Sequence, residues 1–382
     1  GHYMRRFHWE LTDDKAALEA EFRAAGFDTW YAYYGQMGNW QRNPDKPVVN
    51  PWMPTSTTAD ELFIMERNPY YFGIDEDGQQ LPYLDQIVHR LFSTPDVFNM
   101  WCLNGEIDMQ GRHLSVANYT LYKEGEAQGD YQIYHGLNGN TTSINWNLTS
   151  KNPNIREFLQ SRDVRFAMNY AVNREEIISL IYDGLAEPRQ CGPMDQSPQF
   201  YEKLAFAYLD YDPDLSNELL DKAGYTQRDS EGFRLWKDGS GRCGFNIEYI
   251  SADDNDVVSL YVKYFADVGI QCTQKLEERS LYTERFQANE VDASVAFGVG
   301  RSLIPIVAPD ILLGTAIDHP WACAWGMWRN SSGTTPNGEE PPADHWIRTM
   351  WDAYDEVQVT ADEKRRAELF RDHPCQFRGF DG

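Results

Sequence analysis

The stretch Ser161–Pro188, SRDVRFAMNYAVNREEIISLIYDGLAEP, reads as two helices and a stop. Val164, Ala167, Met168, Ala171 and Val172 recur at steps of three and four, which places them on one face of a helix opened by Asp163. Arg165 and Asn169 fall outside that stripe. Asn173 is suited to cap a second helix, because its side-chain oxygen reaches the free N–H groups of the first turn, and Glu176 stands where a capping-box partner belongs. Ile177, Ile178, Ile181 and Tyr182 make the buried stripe of that helix; Gly184 supplies the left-handed residue that ends it and Pro188 prevents its resumption. So tightly capped a pair is expected to be scaffold.

Working outward, the downstream sequence continues in the same α/β idiom. Asp212-Pro213-Asp214 caps a helix over 215–223 that ends at Gly224. A strand over 245–250, a helix over 256–268 ended by Gly269 and a strand over 270–275 form a βαβ unit, which predicts parallel pairing. Asp256 is the expected cap of that helix. A helix over 280–289 leads to a strand over 292–297, and helices are expected from about 343 to 357 and from 362.

Upstream, a helix is expected from Asp13 to Ala25, capped by Thr12 or Asp13 and ended by Gly26. From Leu62 the pattern changes to short extended runs around the turn Asp75-Glu76-Asp77-Gly78. That turn lacks the later acidic ligands of a calcium loop. A helix is expected to start at Pro95, and Asn104 to Asp108 to turn into a strand. The alternating strand Ser143–Leu148 follows a Gly- and Asn-rich break at 136–142, which sets a domain boundary. The divisions are therefore 1–140, mixed α/β; 141–368, α/β; and an irregular tail, 369–382.

With 382 residues the chain exceeds one ordinary core. Its 34 basic and 59 acidic residues give a net charge of −25, which disfavours nucleic acid and anionic lipid as partners. The 12 Trp and 22 Tyr suit ring stacking on a ligand as well as core packing. Six dispersed cysteines without a C-x-x-C pair, and eight His with no i, i+4 pair, argue against zinc. No run of eighteen apolar residues is present. H-E-x-x-H, G-x-S-x-G and P-loop motifs are missing, and Gly298-Val299-Gly300 lacks the third glycine of a dinucleotide fold. No cofactor or metal is expected. Asp253, Asp254 and Asp256 form an acidic loop, and a secreted carbohydrate-active hydrolase using a carboxylate pair stands as the alternative function.

The opening stretch also resembles the hallmark segment of the large extracytoplasmic solute-binding proteins of ABC importers, the dipeptide- and oligopeptide-binding-like family 5. Four further pieces resemble the same family in the same order: ERNPYYF with LPYLD (66–72 and 81–85), NGEID (104–108), YDPDLSNELLDKAG (211–224) and EVDASV (290–295). The resemblance implies a two-lobed periplasmic-binding-protein fold, type II and cluster C-like, incomplete at both ends, with residues 1–140 the second part of lobe I and 141–368 lobe II. It implies a non-enzymatic, extracytoplasmic receptor, periplasmic or lipid-anchored, whose signal segment lies outside this chain. The implied partners are a small-molecule solute, oligosaccharide or peptide-like, held in an interlobe cleft, and the membrane subunits of an ABC permease. The expected cleft wall comprises Asn145, Trp146, Phe297, Gly298, Val299, Gly300, Arg301, Trp321 and Trp325. At Arg301 a cation stands about where the family's peptide binders place an Asp for the α-ammonium, which disfavours free peptide and favours a carboxylate or sugar hydroxyl.

Overall fold

In the computed structural model, residues 1–134, 136, 142–297, 305–307, 309–316 and 319–372 are described. They fall into two compact units: 1–114 with 121–132, and 115–120 with 133 onward.

In the first unit, helix α1 (Lys15–Ala24) is capped by Asp14, whose carboxylate accepts the Ala17 N–H, one residue later than the cap expected from the sequence. Helix α2 (Trp30–Gly38) brings Tyr33 against Phe7, with ring centroids 5.8 Å apart and edge to face; Leu18 and Phe22 complete this small core. Strands β1 (Trp52–Pro54), β2 (Leu62–Arg67) and β3 (Gln86–Arg90) form an antiparallel sheet with β2 central. Between β2 and β3 the expected turn forms, Asp75 accepting the N–H groups of Asp77 and Gln79. Helix α3 (Pro95–Leu103) is capped by Thr94. The strand expected after Asp108 does not form: residues 106–114 run as irregular chain without ladder partners. Helix α4 (Tyr119–Gly129) follows.

The second unit is built on a four-stranded sheet of order β4-β7-β5-β6, with β4 (Thr142–Trp146), β5 (Asn246–Tyr249), β6 (Thr273–Leu276) and β7 (Ala293–Phe297). Strands β5 and β6 pair in parallel, as the βαβ reading requires, and β4 runs antiparallel to β7. Along the chain after β4 come α5 (Pro153–Gln160), α6 (Arg162–Tyr170), α7 (Arg174–Ile181) and α8 (Pro213–Lys222). Then follow α9 (Asn255–Asp267), α10 (Arg279–Gln287), α11 (Cys323–Asn330), α12 (Trp346–Val359) and α13 (Glu363–Asp372).

The apolar stripe of the first helix of the opening stretch is realised in full; of the second helix's expected stripe only Ile177 is fully buried, with Ile178, Ile181 and Tyr182 partly exposed. Val164, Ala167, Met168, Ala171, Val172 and Ile177 lie in one buried cluster with Phe158, Phe245, Ile247, Phe265 and Val295. The caps differ in detail. Helix α6 begins at Arg162 with Ser161 before it and without a side-chain cap, so Asp163 is its second residue. Asn173 caps α7 by accepting the Glu176 N–H, but Glu176 does not return the bond that a capping box needs; its carboxylate accepts the Tyr264 hydroxyl at 2.7 Å and so joins α7 to α9. Asp254, rather than Asp256, stands at the N-cap of α9. Gly184 has φ +74°, the left-handed conformation its position demands, and its N–H closes on the Ile178 carbonyl. Cys243 and Cys272 are buried free thiols, and burial pushes the Cys243 thiol up to about 12.

Candidate cavity in the second unit

The parity of β4 determines what it offers. The Asn147 N–H donates to the Asp292 carbonyl, so 147, 145 and 143 belong to the hydrogen-bonded pairs of the β4–β7 ladder. The intervening Ile144 and Trp146 therefore turn their backbone N–H and C=O groups away from β7. Since β4 is an edge strand among the described residues, they turn toward the side away from β7. A cavity of about 340 Å³ runs along that edge and is lined by all five residues Thr142–Trp146.

The opposite walls come from the two-helix stretch and from the tryptophan-rich segment. Helix α6 contributes Arg162, Arg165, Phe166 and Asn169, and Arg174 begins α7. Arg162, Arg165 and Asn169 lie outside the apolar stripe, which itself reaches the cavity through Met168 and Val172, so the cavity takes in the border between the polar and apolar faces of α6. Arg165 Nη1 donates to the carbonyls of Leu159 (2.9 Å) and Gln160 (2.8 Å), which satisfies the last turn of α5. Arg174 Nη1 donates likewise to Asn169 (3.1 Å) and Val172 (3.3 Å) at the end of α6, and to Leu209 (3.2 Å). Burial lowers the pKa of both guanidiniums; for Arg165, aided by the like charge of Arg162, it falls to about 10. Arg189, also on the wall, is paired with Asp195 and Glu187, and these bonds raise its pKa.

Trp321 and Trp346 line the cavity as a parallel pair, with centroids 5.8 Å and planes 3° apart, and the Trp321 Nε1 donates to the Ile311 carbonyl at 2.6 Å. Trp146 is wedged edge-on against Phe245 at 5.6 Å. Tyr261, whose hydroxyl donates to the Thr142 carbonyl at 3.4 Å, also lines the cavity; burial raises its pKa to about 12.

Of the residues singled out in the sequence, Asn145, Trp146 and Trp321 are thus brought together on one cavity. The Asn145 Nδ2 is sealed from solvent and has no hydrogen-bond partner among the described residues. Phe297 takes part in β7 opposite Thr142 through its backbone. Gly298, Val299, Gly300 and Arg301 lie outside the described residues. Trp325 is 1 % exposed, with Nε1 3.4 Å from Glu339 and its ring 4.5 Å from that of His345, and it is not on the cavity wall. The polar and aromatic cavity residues that sequence reading passed over include Arg162, Arg165, Asn169, Arg174, Arg189, Gln190 and Trp346. A signal for part of this set existed: 162, 165 and 169 recur at helical steps of three and four, forming a polar stripe beside the apolar one.

Comparison with known proteins bears on this fold. The model of bacterial extracellular solute-binding proteins, family 5 Middle, matches residues 7–313. The periplasmic alpha-galactoside-binding protein of Rhizobium meliloti (strain 1021) is 26% identical over 196 residues, which cover 49% of this chain and 28% of that protein. The oligopeptide-binding protein OppA of Lactococcus lactis subsp. cremoris (strain SK11) is 25% identical over 236 residues, covering 59% and 37%. Among solved structures, an oligopeptide-binding protein OppA superposes with TM-score 0.64 at 29% identity, covering 99% of this chain and 62% of that one. The periplasmic binding protein MelB of Agrobacterium fabrum C58, in complex with stachyose, gives TM-score 0.71 at 18% identity over 98% and 55%, a likeness of fold. The chain spans less than two thirds of the length of each of these proteins. The fold is the α/β fold of periplasmic binding proteins, and with the family model matched over 7–313 the chain belongs to family 5 of the bacterial extracellular solute-binding proteins.

Proposed function

We propose that this chain is part of an extracytoplasmic receptor that captures an oligosaccharide or peptide-like solute and delivers it to the membrane subunits of an ABC importer, without chemical turnover. The observation that carries the reading is the open edge of β4 facing a tryptophan pair across one cavity. Backbone N–H and C=O groups at Ile144 and Trp146 supply hydrogen bonds, and the flat Trp321 face supplies stacking area; both suit a polar, elongated solute of either kind. Relatives whose names specify alpha-galactoside or oligopeptide, and a structural neighbour holding stachyose, support those two classes. Hydrolysis by a carboxylate pair requires two opposed acids, and no Asp or Glu lines the cavity among the described residues.

Titration with stachyose and with short peptides, followed by tryptophan fluorescence and thermal unfolding, tests the reading. A bound solute at a hundredfold excess over its Kd raises stability by about 2.7 kcal/mol and is recovered unchanged by chromatography. Recovery of cleaved solute, or unchanged fluorescence and melting with every solute, would sink it.

A further inference from the structure

The wall of the cavity inverts the sign of the molecule. The chain carries a net charge of −25, yet the described cavity residues include four arginines and no carboxylate. Two of the four have evident electrostatic company: Arg189 is held by Asp195 and Glu187, and Arg174 spends both terminal nitrogens on carbonyls and on Asn169 while feeling the field of Asp210.

Arg165 differs. Its Nη1 donates to the carbonyls of Leu159 and Gln160, and among the described residues no hydrogen bond involves its Nε or Nη2 and no carboxylate forms an ion pair with it. Its charged surroundings are repulsive, since Arg162 lies nearby and the charge of Arg165 itself disfavours protonation of His345. A guanidinium largely withdrawn from water and without a carboxylate partner among the described residues is costly, and a planar carboxylate accepting two parallel N–H bonds is the group that best offsets that cost.

Resting on the reading of this cavity as the solute site, we propose that the solute carries a carboxylate and that the Nε–Nη2 edge of Arg165 receives it. The specificity of the receptor is then for acidic solutes over their neutral counterparts. Such a carboxylate belongs either to a uronic acid of an acidic oligosaccharide or to the end of a peptide, and Trp321 with the β4 edge accommodates the body of either.

Isothermal titration with two matched pairs separates these sources: galacturonic acid trisaccharide against its methyl ester, and trialanine against its C-terminal amide. In one pair the acid binds about tenfold or more tightly than its neutral partner, the scale of a charge-assisted hydrogen-bond pair, and the margin shrinks at high salt. The pair showing the margin identifies the source. Arg165→Gln abolishes the margin, weakening the acid far more than its neutral partner; Arg165→Lys, which retains charge but loses the fork, keeps part of it and guards against Arg165→Gln merely loosening α5. Equal affinities within both pairs, or binding of stachyose with none of the acids, overturns the proposal and leaves the receptor reading standing. Failure of all four ligands and of stachyose overturns both.

Discussion

The Oδ1 of Asn169 accepts a hydrogen bond from Arg174 Nη2 at 2.5 Å, so the polar flank of α6 holds the first residue of α7 in place. The same oxygen accepts from Gln190 Nε2 at 3.3 Å, and Asn169 Nδ2 donates to the Tyr208 carbonyl. One amide thus ties the helix pair to the 190–208 segment at the cavity wall. The turn between α6 and α7 is held from its apolar side by Ala171 and Val172 and from its polar side by this network.

Asn169→Ala is therefore expected to lower stability by about 1–3 kcal/mol, the cost of leaving half-buried donors on Arg174 and Gln190 unsatisfied. Urea unfolding should show a shifted midpoint with an unchanged slope. A midpoint equal to that of the parent would mean the network is ornamental.

Trp321 and Trp325 are four residues apart and separate by role. Trp321 lines the cavity, stacked on Trp346, whereas Trp325 is among the largest fully buried side chains. Trp321→Ala should weaken solute binding about tenfold, with a modest stability loss, as expected for one aromatic contact worth about 1 kcal/mol beyond its area. Trp325→Ala should cost about 3–5 kcal/mol of stability. Paired calorimetry and denaturation distinguish them; a Trp325→Ala protein that is stable but does not bind would move that residue to the site.

The fold was legible where periodicity and caps coincide. The stripe from Val164 to Val172, the Asp212-Pro213 cap and the parallel strands on either side of α9 are local patterns whose side chains have one way to be buried. The site was less legible for the same reason: the apolar stripe of α6 named its buried face, and the other face looked like surface until β4, Trp321 and Trp346 were brought against it by residues far away in sequence. Arg165 and Arg174 resemble solvated charges in the sequence, whereas in the fold they close the carbonyl ends of α5 and α6. Glu176 shows the limit of local motifs, since Tyr264, 88 residues distant, competes successfully for its carboxylate.

Asp254 supplies a pH signature. Burial, with a smaller contribution from Asp253, raises its pKa from 3.8 to about 6. Between those values the folded chain retains a proton that the unfolded chain releases, so stability falls as pH rises through this window and levels off above it. Asp254→Asn, which removes the charge and still suits an N-cap, should stabilise the protein at pH 7 by about 1 kcal/mol after allowance for partial exposure. That gain should vanish below about pH 4, where Asp254 is protonated in both states. Denaturation curves of the two proteins that keep a constant separation from pH 4 to pH 7 would refute the assignment.

The parity of β4 makes the sharpest prediction. Ile144 and Asn145 are adjacent, but the N–H of Asn145 belongs to the β7 ladder and that of Ile144 faces the cavity. Proline deletes one N–H, and it is tolerated on an edge strand only where that N–H has no ladder partner. Ile144→Pro should therefore leave β4 paired, with a stability loss confined to the packing of one partly buried side chain, and should weaken solute binding by removing a backbone donor. Asn145→Pro should break the β4–β7 ladder and destabilise the unit by about 3 kcal/mol or more. Hydrogen exchange of the Ser143 and Asn147 amides reads the ladder directly. If both variants lose protection there equally, the backbone groups at Ile144 are engaged within the fold, and the open edge that the solute is proposed to use does not exist.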